Sequence, residues 1–560
     1  MLANIVKGFI LCIMLVPTIS YSQQDTLLAI LTEELEREFS ILSKVEVPVY
    51  YMNYRAEDSK TLSITANFGS LMSSTMQHSR LCQPTVRLGD YSFDNTHASS
   101  EFYGFGDVSR ARTIPINNQD KAIKQILWRI TDIAYNSAKE KYARLKSRDE
   151  EKEAGDFSVE EVVKYHEPAQ PVEIDIPYWE NLAKKLSAVF ENEEDVLTGS
   201  VYLDNTSDRK YFVSSEGSSV VQNTQLIQIH VIAHMVNENK EVVDLYKSFS
   251  ASSPSNLPPL DSMLIETKQM LATLKELKNA PYADPYTGPA ILHPRAAAVF
   301  FHEIFGHRIE GHRLKSDEDG QTFKEKVNAK ILPDFINIYS NPTLARYNNT
   351  DLNGYYRYDD EGLAARKISI VEEGVLKSFL MSRSPIENFS TSNAHGRSQI
   401  GMAPVARQAN LIVEAHGGLS EEDLRLALID ECKKQGKQYG YYFKDVTGGF
   451  TQTSRYSPNA FNIMPTLVYR IYVDGRPDEL VKGVDLIGTP LAMFAEVVAA
   501  GKEHGVFNGI CGAESGSIPV SAIAPSILVR RIETQKKPVN NIKSEKPILE
   551  NPQAQQTIDK

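Results

Sequence analysis

Residues 294–312 read PRAAAVFFHEIFGHRIEGH, and no other segment limits the possible folds so sharply. Pro294 suits the first position of a helix, where its missing N–H costs nothing. Ala296 to Phe301 are uniformly apolar, so the helix must be buried where it arrives at His302, Glu303 and His307. Histidines four residues apart stand ~40° apart around a helix, but five residues separate these two, giving ~140° and a rise of ~7.5 Å. They cannot share one ion on a straight helix. Convergence requires either a π-bulge or a break, and Gly306 makes both inexpensive. Without that convergence, His302, Glu303 and His307 form a structural polar cluster.

A catalytic metal needs a third protein ligand and one open position. Glu310 and His312 follow on the same segment, and His312 repeats the five-residue spacing. His395 lies in the glycine-bearing loop STSNAHGR. Cys511 lies in FNGICGAESGSIP between Gly509 and Gly512, where the backbone can approach an ion or a peptide closely. A purely structural metal would take a fourth protein ligand, such as Glu310 or His312.

The whole chain has 560 residues and a net charge of −12, and 42% of its residues are hydrophobic. That balance suits a globular protein with more than one core and disfavours a nucleic-acid binder, which needs a basic face. Residues 1–22 read as an export signal: Lys7, the apolar run GFILCIMLV, then Pro17 with Ser20 and Ser22 before Gln23. The run is too short to span a bilayer, and no later stretch is long and apolar enough. The expected location is periplasmic or secreted. Cleavage leaves Cys82, Cys432 and Cys511, an odd number that a zinc-bound thiolate at Cys511 would explain. Cys82 and Cys432 would then be free to pair.

Periodicity predicts helices over Leu27–Lys44, Asp120–Arg148, Pro177–Asn192 and Leu260–Asn279. Strand patterns appear at 45–54, 63–68 and 86–91, and as hairpins over 196–244 with turns at Asp204-Asn205 and Glu216-Gly217. Further strands are expected at 367–370, 410–414, 466–473 and 526–532. The fold class is α+β: an N-terminal mixed domain over 23–280 and a C-terminal domain over 281–533. The second is expected to be built on a large, mainly antiparallel sheet holding the kinked or bulged metal helix. Residues 534–560 have the composition of a disordered tail.

FHEIFGHRIEGH, DDEGLAARKISIVEEGVLKSFLMSR, TSNAHGR and NGICGAESGSIPVSAIAPSILV occur in that order. Together they resemble the TldD/PmbA family of metallopeptidases over about Tyr282 to Ile532, with VRLGDYSFDN and YFVSSEGS as fainter traces upstream. The resemblance implies that His302, His307 and Cys511 bind one zinc per chain and that Glu303 activates water. It is to the catalytic type, because some members that serve as partner subunits have lost these residues. It also implies a homodimer or heterodimer enclosing a cavity that admits small or unfolded peptides. His395 and Arg397 are candidates for stabilising the oxyanion. The implied activity is zinc-dependent peptide hydrolysis; the alternative is a non-catalytic peptide-binding or assembly subunit.

Overall fold

The computed structural model describes residues 25–97, 111–147, 154–170, 173–237, 241–315, 319, 321–454 and 461–537. The expected export signal lies outside the described residues, as does nearly all of the expected tail.

Among the described residues, the N-terminal domain is a seven-stranded sheet with its helices on one face. Its elements are α1 (Thr26–Leu42), β1 (Val49–Asn67), β2 (Ser70–Leu88), β3 (Arg112–Thr113) and α2 (Asp120–Lys146). They continue with β4 (Lys164–His166), α3 (Ile176–Ser187), β5 (Val196–Ser214), β6 (Ser219–Val236), β7 (Val242–Ala251) and α4 (Leu260–Asn279). Strand order is β3-β2-β1-β5-β6-β4, with β7 paired to β6. Side chains alternate faces along a strand. Met52, Tyr54 and Ala56 of β1 therefore pack under α1 and α2, while Leu62, Ile64 and Ala66 on the same face pack under α3 and α4. From Tyr51 on, past a register shift, the odd-numbered residues of β1 point the other way, toward the C-terminal domain, where Arg55 donates to Ser398 Oγ at 2.6 Å.

Local pattern misjudged these strands. β1 is continuous through its polar middle because both neighbours pair along it, with Ser59 opposite Ser79 on β2 and Asp208 on β5. Asp204-Asn205 is not a turn but mid-strand, its polar side chains used across the ladder, as in Ser63 Oγ to Asp204 Oδ1 at 2.6 Å. The turn at Glu216-Gly217 does form, with Gly217 at φ 101°.

The C-terminal domain carries the larger sheet. In chain order, its strands and helices are β8 (Thr287–Leu292), α5 (Pro294–Ile304), β9 (Ile336–Ser340), β10 (Ile368–Glu372) and β11 (Val375–Leu376). Then come β12 (Asn410–Ala415), α6 (Glu421–Lys434), β13 (Tyr439–Thr451), β14 (Phe461–Tyr472), β15 (Glu479–Val481), β16 (Val484–Gly488), β17 (Val497–Ala513) and β18 (Gly516–Lys536). Pairing is mainly antiparallel; β12 with β18 and β8 with β13 are parallel. Because β8 pairs with both β13 and β18, the strands β18, β16, β14, β13 and β8 close on themselves. β18 reaches Lys536, past the tail boundary expected at 534, because its end pairs with β16 from Val484 to Ile487.

The domains are locked by buried polar contacts. Arg383 bonds Glu216 at 2.7 and 2.8 Å and the Ser158 carbonyl at 2.5 Å, with its guanidinium 3.9 Å from the centre of the Phe157 ring. Cys82 and Cys432 are free, buried in different cores, and do not pair.

Candidate metal centre

α5 is apolar on every side because it is enclosed on every side: Ala296 to Phe301 are all buried. Burial fixes where its last turn delivers His302 and Glu303. The helix then stops at Ile304, and a 3-10 turn over Gly306–Arg308 places His307. The five-residue spacing is therefore accommodated by a break rather than a π-bulge. The reason for glycine at the break is space. A Cβ on Gly306 would lie 1.8 Å from Oε1 of Gln408, whose Nε2 donates to the His302 carbonyl at 3.3 Å.

The break brings the imidazoles together, with ring centroids 5.0 Å apart and planes at 77°. Cys511 arrives from β17, with Sγ 3.4 Å from His307 Nε2. One donor atom each from His302, His307 and Cys511 lies within 4.8 Å of the others. Zinc bonds of ~2.0–2.3 Å in tetrahedral geometry put ligand atoms in that range. His302 Nδ1 is buried with no hydrogen-bond partner, a costly state that an ion would relieve. Burial opposes the Cys511 thiolate, yet His307 and His302 pull the thiol far below its ordinary range; in return Cys511 and Glu310 raise His307 against the effect of burial. Two imidazoles and a thiolate that favours charge separation fit zinc.

Glu303 stands beside the donors, its Oε2 3.9 Å from His307 Nε2. Gly449 of β13 leaves room for it, since a Cβ there would meet Glu303 Cγ at 2.7 Å. Burial raises the Glu303 pKa.

Glu310 and His312 do not join the three donors. Glu310 Oε2 lies 3.2 Å from His307 Nδ1, so it orients that ring and fixes which nitrogen faces Cys511. Burial opposes its charge, but His307 and Arg313 hold it down at about 2. His312 bonds Glu514 through Nε2. Glu310, His312 and Glu514 also cluster tightly, but Arg313 bridges Glu310 at 2.8 Å and Glu514 at 3.1 Å, supplying the positive charge a second ion would bring.

His395 and Arg397 are absent from the cleft. His395 is buried against Ser340 Oγ at 2.8 Å and the Asn393 carbonyl at 2.9 Å, and burial lowers it to about 4. Arg397 donates to the Gln408 and Pro519 carbonyls and lines a separate cavity of about 770 Å³. Neither is placed to stabilise an oxyanion in the cleft. Both sit in a polar loop whose pattern does not show which way it folds.

The cleft over the donors has a volume of about 670 Å³. One wall is the open face of the N-terminal sheet, with Gln228, His230, Tyr246 and Ser248. Sequence reading confined the site to the C-terminal half; these alternating polar positions look like any solvent-facing strand. It also missed Arg407, which is fully buried and donates to the Cys511 carbonyl at 2.9 Å and approaches its Sγ at 3.3 Å.

Two imidazoles, a thiolate and a neighbouring carboxylate at the base of a cleft have the make-up of a metallohydrolase centre. Residues 285–536 match the PmbA/TldA metallopeptidase C-terminal domain. A metalloprotease of Archaeoglobus fulgidus is 28% identical over 271 residues, covering 48% of this chain and 58% of that protein. The zinc metalloprotease TldD homolog of Saccharolobus solfataricus is 22% identical over 336 residues, covering 59% and 70%. The chain spans about half the length of the first curated relatives it matches. TldE from Thermococcus kodakarensis shares the fold with a TM-score of 0.58 at 12% identity, covering 91% of this chain and 100% of that one. Together, the domain match and the names of these relatives make residues 285–536 similar to the C-terminal domain of TldD/PmbA metallopeptidases.

Proposed function

We propose that the chain is a zinc-dependent peptidase acting on small or unfolded peptides. The observation that carries this reading is the convergence of His302, His307 and Cys511 next to the Glu303 carboxylate inside a cleft. When bound, zinc would supply a Lewis acid for the scissile carbonyl and lower the pKa of water at the site. Glu303 takes the proton of the attacking water and delivers it to the leaving amine. Glu310 holds the His307 ring in register, and Arg407 holds the strand that carries Cys511. Glu310 and His312 are occupied elsewhere, so the three-donor set keeps a position open, as catalysis requires.

Walls from both domains line the cleft, which supports a substrate that enters as an extended chain rather than as folded protein. The export-signal pattern read in residues 1–22 supports an exported location for this activity, and the resemblance to a family of dimers supports a dimeric enzyme. The test is metal analysis joined to turnover. Purified protein should carry about one zinc per chain, in keeping with one three-donor site. Hydrolysis of unfolded peptides should stop on chelation and return with zinc, and Cys511→Ala should lose both metal and activity. Protein that binds peptide but shows no zinc-restored hydrolysis refutes the proposal and favours a non-catalytic binding subunit.

A further inference from the structure

The N-terminal sheet ends on a long edge. Among the described residues, β2 has a strand neighbour on its outer side only at Leu81 and Cys82, where β3 pairs with it, and near its end Asn95 bonds Leu88 and Val86. The adjoining outer-side bond runs from Ile114 N–H to the Arg80 carbonyl at 2.9 Å. Backbone groups alternate in direction along a strand, and the β1–β2 register is regular from Ser73 to Arg87. Ser74, Met76 and His78 therefore aim their N–H and C=O groups outward, as Arg80 does.

Free edges of this length are usually blunted by charge, proline or a bulge. From Ser70 to Ser79 the edge holds no Asp, Glu, Lys, Arg or Pro, and its one irregularity lies at the hairpin tip. It presents apolar side chains to solvent instead: Leu71 is 38% exposed, Met72 65% and Met76 42%. Met76 stands opposite Leu62 on β1, and Ser74 opposite Ile64, so this edge prolongs a buried core layer of the domain into solvent.

We propose that a second copy of this chain docks here, β2 against β2, antiparallel about a two-fold axis through Ser74. The uncovered segment runs from Ser70 to His78, bounded by the hairpin turn and by β3, and Ser74 is its middle residue. A two-fold axis in an antiparallel ladder sets one residue opposite itself, and in the hydrogen-bonded register that residue must point both backbone groups outward. Ser74 does. In this register Ser73 faces Thr75, and Met76 of each copy lies beside Met72 of the other, so no like charges meet. The segment is thus self-complementary in hydrogen bonding, size and charge. The inference takes from the proposed function only that the chain pairs; it gives the surface and chooses a second copy over a related subunit. Its test reads association, so it fails or stands apart from hydrolysis.

The experiment is light scattering on the full chain at micromolar concentration, with Ser74→Lys and Ser74→Cys as variants. Wild type should show twice the chain mass. Ser74→Lys sets two ammonium groups across the axis and should move the protein to single-chain mass. Ser74→Cys should be joined to a second copy by a short bis-maleimide, while wild type, whose described thiols are all buried, should not. Wild type at single-chain mass overturns the proposal. So does a dimer in which Ser74→Lys changes nothing and Ser74→Cys gives no linked product. If Ser74→Lys fails to fold, the cross-link decides.

Discussion

Replacing Gly306 by alanine tests whether the helix break is shaped by packing around the metal centre. Backbone conformation does not require glycine there, because Gly306 does not fall in the left-handed region. Space does. The added methyl would sit 1.8 Å from Gln408 Oε1 and 2.2 Å from its Cδ, and Gln408 is only 1% exposed. Accommodation must push the Gln408 amide away from the His302 carbonyl. That forfeits a hydrogen bond of ~1 kcal/mol and adds overpacking of ~1–3 kcal/mol, for a total of ~2–4 kcal/mol. The same movement shifts the turn that carries His307, so zinc affinity should fall together with stability. Denaturant midpoints and chelator competition for zinc measure the two effects. Gln408→Ala in the Gly306→Ala background should restore a large part of both, giving a coupling energy of ~1–3 kcal/mol in the double-mutant cycle. A Gly306→Ala protein with unchanged midpoint and zinc affinity would refute the reasoning, as would strictly additive effects.

Glu310→Gln should weaken zinc binding by ~10–100-fold, because it removes the carboxylate behind His307; an unchanged zinc affinity counts against that role. Glu38 shares Arg37 with Glu34, and burial first, then Glu34, raises it to about 7. A carboxyl raised on folding stabilises the native state below its unfolded pKa, and that contribution disappears as pH rises through about 7. Wild type should therefore lose stability between pH 5 and 8 through this group. Glu38→Gln should flatten that loss; urea midpoints with the same pH slope in both proteins would contradict it. Arg383→Met strands Glu216 and the Ser158 carbonyl at the domain junction and should cost ~3–5 kcal/mol. A thermal midpoint close to wild type would show that the junction does not depend on it.

The part of the site that lies on one helix was legible because helical geometry is local. The spacing of His302 and His307 required a bulge or a break, and the structure has the break at the expected glycine. Cys511 stands 204 residues beyond His307, so no periodicity could join them; the resemblance did. What stayed hidden depends on pairing between distant strands. The polar middle of β1 and the apparent turn at Asp204-Asn205 look like interruptions until β5 is laid beside β1. His230 and Tyr246 look like exposed strand residues until the second domain covers their face. Glu514 belongs to a quoted motif and Arg313 directly follows another, but their ion pair exists only once the β17–β18 turn meets the segment after α5.

Glu303→Gln and wild type, each loaded with zinc to the same measured content, should be compared on one mixture of unfolded peptides. If His302, His307 and Cys511 hold the metal while Glu303 moves the proton, the variant keeps its zinc and hydrolyses peptides ~10²–10⁴-fold more slowly. Equal rates in the two proteins, or no hydrolysis by zinc-loaded wild type, would contradict that assignment.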